Sequence, residues 1–189
     1  IINKNLESKI INKIIEPTLK ALRKKKHPYK GILYLGLMIF KNEPYLIEYN
    51  VRMGDPECQT ILIRLKTDLF EIINACVNKK LTRVKIKWKK EKSMCVVLCS
   101  KGYPGIYKKN IKIKKIDKVK LKKNEFIFHA GTYKNKNQIY SNGGRVLNFI
   151  SLSKQLIKSR NSIVNLIKKI NWKYGFYRKD IGWRAIRKK

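Results

Sequence analysis

Hydrophobic and polar positions follow two different rhythms along the chain. Between residues 6 and 25, Ile10, Ile11, Ile14, Ile15, Leu19 and Leu22 recur at helical spacing with lysines on the opposite side, which predicts an amphipathic helix kinked at Pro17. After His27-Pro28 the run GILYLGLMIF (31–40) is continuously apolar and reads as a buried strand. It turns through Lys-Asn-Glu-Pro into YLIEYNVR (45–52), the expected partner strand. Two helices should follow. One begins near Asp55-Pro56, where the acid would cap and the proline would fill the first turn, and one near Asp68, with Glu71 at the spacing that favours a helix start.

From about residue 82 the rhythm shortens. MCVVLCS (94–100), IKIKKI (111–116), EFIFHAGTY (125–133), QIYS (138–141) and RVLNFIS (145–151) are separated by turn formers such as Gly102, Pro104, Gly105 and Asn142-Gly143-Gly144. This predicts a small antiparallel barrel or sandwich. A final helix, capped by Ser153, would run to about Ile170 with Leu156, Ile157, Ile163, Val164, Ile167 and Ile170 inward. The fold class is α+β, and the change of pattern divides the chain into residues 1–81 and 82–189.

Charge changes this picture less than its size suggests. Lys and Arg total 46 against 12 Asp and Glu, a formal charge of +34, and such an excess ordinarily points to a polyanion. Here it is spread over every segment as Lys, alongside abundant Ile and Asn. All three have A/T-rich codons, so genome composition can produce the excess without any polyanion, and a nucleic-acid partner is not expected. No apolar run approaches the ~18 residues of a membrane span, and no signal-like segment opens the chain, so a cytoplasmic protein without a membrane partner is expected. Cys58, Cys76, Cys95 and Cys99 form no paired CxxC ligands and read as reduced thiols. The chain opens on Ile1 rather than Met and enters directly into a helical pattern, which predicts a fragment or truncated reading frame.

The candidate chemistry lies in IEYNVRMGDPE (47–57). On a strand, Glu48, Asn50 and Arg52 share a face, setting two hard oxygen donors and a guanidinium in a row. Glu48 and Asn50 suit Mg²⁺, which takes one or two protein oxygens plus phosphate and water. Arg52 suits phosphate oxygens or the charge on a transferring phosphoryl group. Gly54 permits a sharp change of direction before Asp55, Pro56 and Glu57. The plainer alternative is an ion pair between Glu48 and Arg52, with Asp55 only a helix cap. His129 reads more simply as a hydrogen-bonded strand histidine than as a site residue. For Arg145 and Arg178, contact with an anionic substrate and solvated ion pairs both remain open.

GILYLGLM, LIEYNVRMGDPECQTILIRLKTDL, VVLCSKGYPGIY, FHAGT, SNGGRVLNFISL and GFYRKDIGWRAI, in this order and spacing, resemble the C-terminal portion of the phosphoribosylamine–glycine ligases, members of the ATP-grasp superfamily. The resemblance runs over essentially the whole chain. It implies that 1–81 is the C-terminal part of an ATP-grasp domain and 82–189 a hybrid-barrel domain. It further implies that ATP phosphorylates glycine and that the amine of 5-phosphoribosylamine attacks the glycyl phosphate, a step of purine (IMP) biosynthesis. By the same resemblance Glu48 and Asn50 bind Mg²⁺ or Mn²⁺ at the ATP phosphates, and Arg52 contacts the reacting phosphate. Gly54, Asp55, Pro56 and Glu57 shape the glycine and phosphoribosylamine side. The family's glycine-rich phosphate lid and adenine pocket are not found in this sequence, so an N-terminal half is expected in cis or in trans. Another carboxylate–amine ligase of the ATP-grasp type would keep Glu48 and Asn50 without the blocks after residue 94. A basic nucleic-acid-binding remnant is the reading from a different class, motivated by the +34 charge alone.

Overall fold

The computed structural model describes residues 2–187. Ile1, Lys188 and Lys189, at the outer ends of the two expected domains, lie outside the described residues. The chain forms two compact units, Ile1–Gly54 with Thr67–Ile86, and Asp55–Lys66 with Lys87–Lys189. Residues 55–66 thus belong with the later part of the chain, and 67–86 with the earlier part.

In the first unit, helix α1 (Lys4–Ile10) starts at Asn3, whose side chain accepts a hydrogen bond from the Leu6 N–H at 2.8 Å. One π-helical stretch (Ile11–Ile15) leads into α2 (Glu16–Lys24), and the wide turn falls just ahead of Pro17, which has no N–H to give the preceding turn. The disturbance expected at Pro17 therefore takes the form of a π turn within helix. Strands β1 (Tyr34–Phe40) and β2 (Glu43–Asn50) pair antiparallel, with a bulge between Gly36 and Leu37. Lys9 and Lys13 both donate to the Glu43 carboxylate, tying α1 and the π turn to the start of β2. Leu6, Ile10 and Ile14 are the buried hydrophobic side chains among the described residues of this unit. Helix α3 (Glu57–Leu62) belongs to the second unit and α4 (Leu69–Val77) to the first. Asp68 caps α4 as the sequence predicts, its Oδ1 accepting from the N–H groups of Phe70 at 2.7 Å and Glu71 at 3.3 Å.

The second unit carries the main core. Strands β3 (Lys92–Ser100), β4 (Ile111–Lys112), β5 (Glu125–His129), β6 (Thr132–Asn135), β7 (Gln138–Ser141) and β8 (Arg145–Ser153) precede α5 (Leu156–Ile170), β9 (Gly175–Phe176) and α6 (Trp183–Arg187). They form two antiparallel sheets, in the orders β5-β8-β3-β9 and β4-β7-β6. Strand β3 alternates, burying Met94, Val96 and Leu98, and Leu147 and Phe149 of β8 join Ile163, Leu166 and Ile170 of α5 in the same apolar cluster.

Three expected elements differ. IKIKKI forms strand only at 111–112, with one further bond from the Ile113 N–H to the Ile139 carbonyl at 2.8 Å, because Lys115 turns into the left-handed region (φ 66°) and a short 3₁₀ turn (Ile116–Lys118) follows. EFIFHAGTY breaks at Ala130-Gly131, and β5 and β6 enter different sheets. Ser153 ends β8 rather than capping α5. Gln155 holds the N-cap position with no side-chain hydrogen bond, and Ser153 Oγ accepts from the Gln155 N–H at 3.3 Å.

Candidate active site

Strand β2 carries Glu48 and Asn50 on one face, and they meet: Asn50 Nδ2 donates to Glu48 Oε1 at 2.9 Å. Glu48 is exposed and Asn50 half-buried. This bond sets the amide nitrogen against the carboxylate and leaves Asn50 Oδ1 and the second Glu48 oxygen outside it. Opposite Glu48 in register is Gly36, and a Cβ there would lie 2.7 Å from Glu48 Cγ. The Glu48 side chain thus occupies space that only a glycine leaves open, next to the bulge. In the sequence, the one signal of this role of Gly36 is a glycine inside an apolar strand, which marks a close approach.

Arg52 stands past the end of β2, in a bend, so it does not continue the row on the strand. Its Nη1 donates to the Met53 carbonyl at 2.9 Å, and among the described residues no ion pair joins it to Glu48. Gly54 is buried.

In the second unit, Asp55 does not cap a helix: α3 begins at Glu57, Pro56 takes the N-cap position, and no side chain caps it. The Asp55-Pro56 peptide bond is cis. Both Asp55 carboxylate oxygens have partners instead. Oδ2 lies 3.0 Å from Arg145 Nη2, and Oδ1 accepts from Gln59 Nε2 at 3.1 Å. Arg145 Nη1 also reaches the Asp55 carbonyl, at 3.4 Å. Of the two readings left open for Arg145, the ion pair is the one present. Arg178 likewise pairs with Asp180, at 2.7 Å, which holds the Asp180 carboxyl below its ordinary range. His129 shares a hydrogen bond with Thr132 Oγ1 at 2.8 Å, as its plainer reading had it. Cys95 lies near the 55–57 loop, its thiol pushed up to about 12, first by burial and then by the negative charges of Asp55 and Glu57.

A carboxylate and a carboxamide on one strand face, with a guanidinium four residues beyond the first, suit a divalent cation and phosphate oxygens. Residues 1–58 match the family model described as "Phosphoribosylglycinamide synthetase, ATP-grasp (A) domain", and residues 93–184 match "Phosphoribosylglycinamide synthetase, C domain". The chain belongs to the phosphoribosylamine–glycine ligase family. It is 40% identical to the phosphoribosylamine–glycine ligase of Brucella melitensis over 95% of its own length and 42% of that relative's. With the chloroplastic ligase of Arabidopsis thaliana it shares 39% identity over its full length, 36% of the relative's. A crystal structure of the Thermotoga maritima ligase superposes with a TM-score of 0.75 at 30% identity, covering 95% of this chain and 44% of that one. The chain therefore spans about two fifths of the length of the ligases it matches. No helix among the described residues is long and apolar enough to cross a membrane.

Proposed function

We propose that residues 1–189 supply the metal-holding strand and the C-terminal domain of a phosphoribosylamine–glycine ligase. The reaction joins glycine to 5-phosphoribosylamine in purine (IMP) biosynthesis, consuming ATP and releasing ADP and phosphate. The observation that carries this reading is the Glu48–Asn50 pair on β2, within the stretch matched to the ATP-grasp domain. In this reading residues 1–81 are the closing part of an ATP-grasp domain and 82–189 a hybrid-barrel domain, and the protein works in the cytoplasm.

Glu48 and Asn50 would hold Mg²⁺, or Mn²⁺ in its place, and the ion would supply positive charge to offset that of the ATP phosphates. Arg52 gives its remaining N–H groups to the oxygens of the reacting phosphate, which a planar guanidinium can grip at two points. Gly54, Asp55, Pro56 and Glu57 shape the side that receives glycine and phosphoribosylamine. The attacking amine is already nucleophilic, so positioning rather than a general base is what these residues contribute. Since the chain spans about two fifths of its relatives, the other part of the ATP site comes from further sequence, in cis or in trans. The +34 charge is compositional in this reading and calls for no nucleic acid.

The test is a chimera in which residues 1–189 replace the matching stretch of the Brucella melitensis ligase. It should release ADP only with glycine and phosphoribosylamine together. Glu48→Gln should cut its turnover by about 10²-fold or more and raise the Mg²⁺ concentration it requires. Unchanged turnover and metal dependence in that variant would remove Glu48 from the metal site. The 189-residue chain alone should release no ADP, and substrate-dependent release by it would overturn the division of the ATP site.

A further inference from the structure

We propose that Arg145 is a positioning residue of the site: it fixes the Asp55–Glu57 loop from within the second unit and so governs substrate affinity without touching substrate. The inference rests on the functional reading above for the role of that loop.

The guanidinium engages Asp55 twice, through Nη2 at the carboxylate (3.0 Å) and Nη1 at the carbonyl (3.4 Å). Two contacts to side chain and main chain of one residue fix the loop's orientation as well as its distance, which a lysine ammonium would not do. Gln59 holds the other carboxylate oxygen, so Asp55 has little left to offer a substrate; its work is to be held. The backbone that presents Arg145 is itself tightly built. A Cβ at Gly131 would lie 2.6 Å from the Arg145 carbonyl oxygen, and one at Gly144 would lie 2.0 Å from the Tyr103 ring. The Ser100 N–H donates to the Gly144 carbonyl at 2.7 Å, and Ser100 Oγ donates to the Gly143 carbonyl at 2.8 Å. A side chain anchored in this way can act as a fixed post for a loop 90 residues earlier in sequence.

Hydrogen exchange of the 189-residue chain tests the grip. Arg145→Met keeps the stem and removes the charge; it should speed exchange of the amides of residues 57–60 by about two- to fivefold, the scale of a half-exposed ion pair. The β3 and β8 amides should be unaffected. Asp55→Asn should do the same, the double variant should be no faster than either single one, and Arg145→Lys should recover part of the protection. Additive effects of the two single variants, or equal behaviour of Met and Lys at 145, would overturn the grip. In the chimera, Arg145→Met should raise KM for glycine or phosphoribosylamine by a larger factor than it lowers kcat, and Arg145→Lys should recover part of that loss. An effect confined to kcat would overturn the positioning role. A parent chimera without activity would count against the ligase reading alone, and the exchange measurements would then decide the inference.

Discussion

Gly36 shows how one absent side chain shapes the proposed metal site. Because a Cβ at 36 would lie 2.7 Å from Glu48 Cγ, Gly36→Ala should push Glu48 out of its rotamer and away from Asn50. A displaced rotamer costs about 0.5–1.5 kcal/mol, so the chain should still fold while the Mg²⁺ requirement of the chimera rises. Unchanged metal dependence would show that the Glu48 conformation is not set by Gly36. A second prediction concerns Cys95. With its thiol pushed up to about 12, almost none is thiolate at neutral pH, so alkylation in the folded chain should run about 100-fold or more slower than in the unfolded chain. Burial is the larger cause, so Asp55→Asn should quicken the reaction only modestly. Equal rates in folded and unfolded chains would contradict the burial of this thiol.

At the scale of elements, Glu43 couples helix to hairpin. Lys13 and Lys9 hold its carboxyl at about 2, below the ordinary 4.5. A carboxyl depressed in the folded state stabilises it above the unfolded value, and that contribution is lost as pH falls from about 4.5 towards 2. Glu43→Gln should therefore flatten the pH dependence of unfolding of the first unit in that window and leave it unchanged near pH 7 to 8. A pH profile identical to the parent's would remove the pair as a source of acid sensitivity. Most element types were legible in the sequence because their cues are local: the helical spacing from Ile10 to Leu22, the Asp68 cap, the short apolar run of β3 ahead of the turn formers Gly102, Pro104 and Gly105. The failures are equally instructive. Asp55 looked like a cap because it precedes proline, but its carboxylate is taken by Arg145, a partner that no local pattern reveals. Ser153 looked like a cap because serine often is one, but pairing with Lys92 keeps it in β8.

Over the whole molecule, burial is unevenly shared. Phe149, Leu147, Ile163 and Leu166 lie in the apolar cluster of the second unit, whereas the first unit buries Leu6, Ile10 and Ile14. Phe149→Ala should cost about 3–5 kcal/mol, and the slowest-exchanging amides should lie in β3 and β8, with those of β1 and β2 exchanging sooner. Uniform protection across both units would contradict this distribution. The sequence by itself determined the order of helices and strands and the presence of Glu48 and Asn50 on one strand face, because periodicity acts over a few residues; the family was legible as a resemblance of motif blocks spread along the chain. Only the tertiary structure decided that 55–66 folds with the later unit, that Gly36 opens space for Glu48, and that Arg145 holds Asp55. These depend on contacts between residues far apart in the chain, and such contacts are fixed by how whole elements pack rather than by any local pattern.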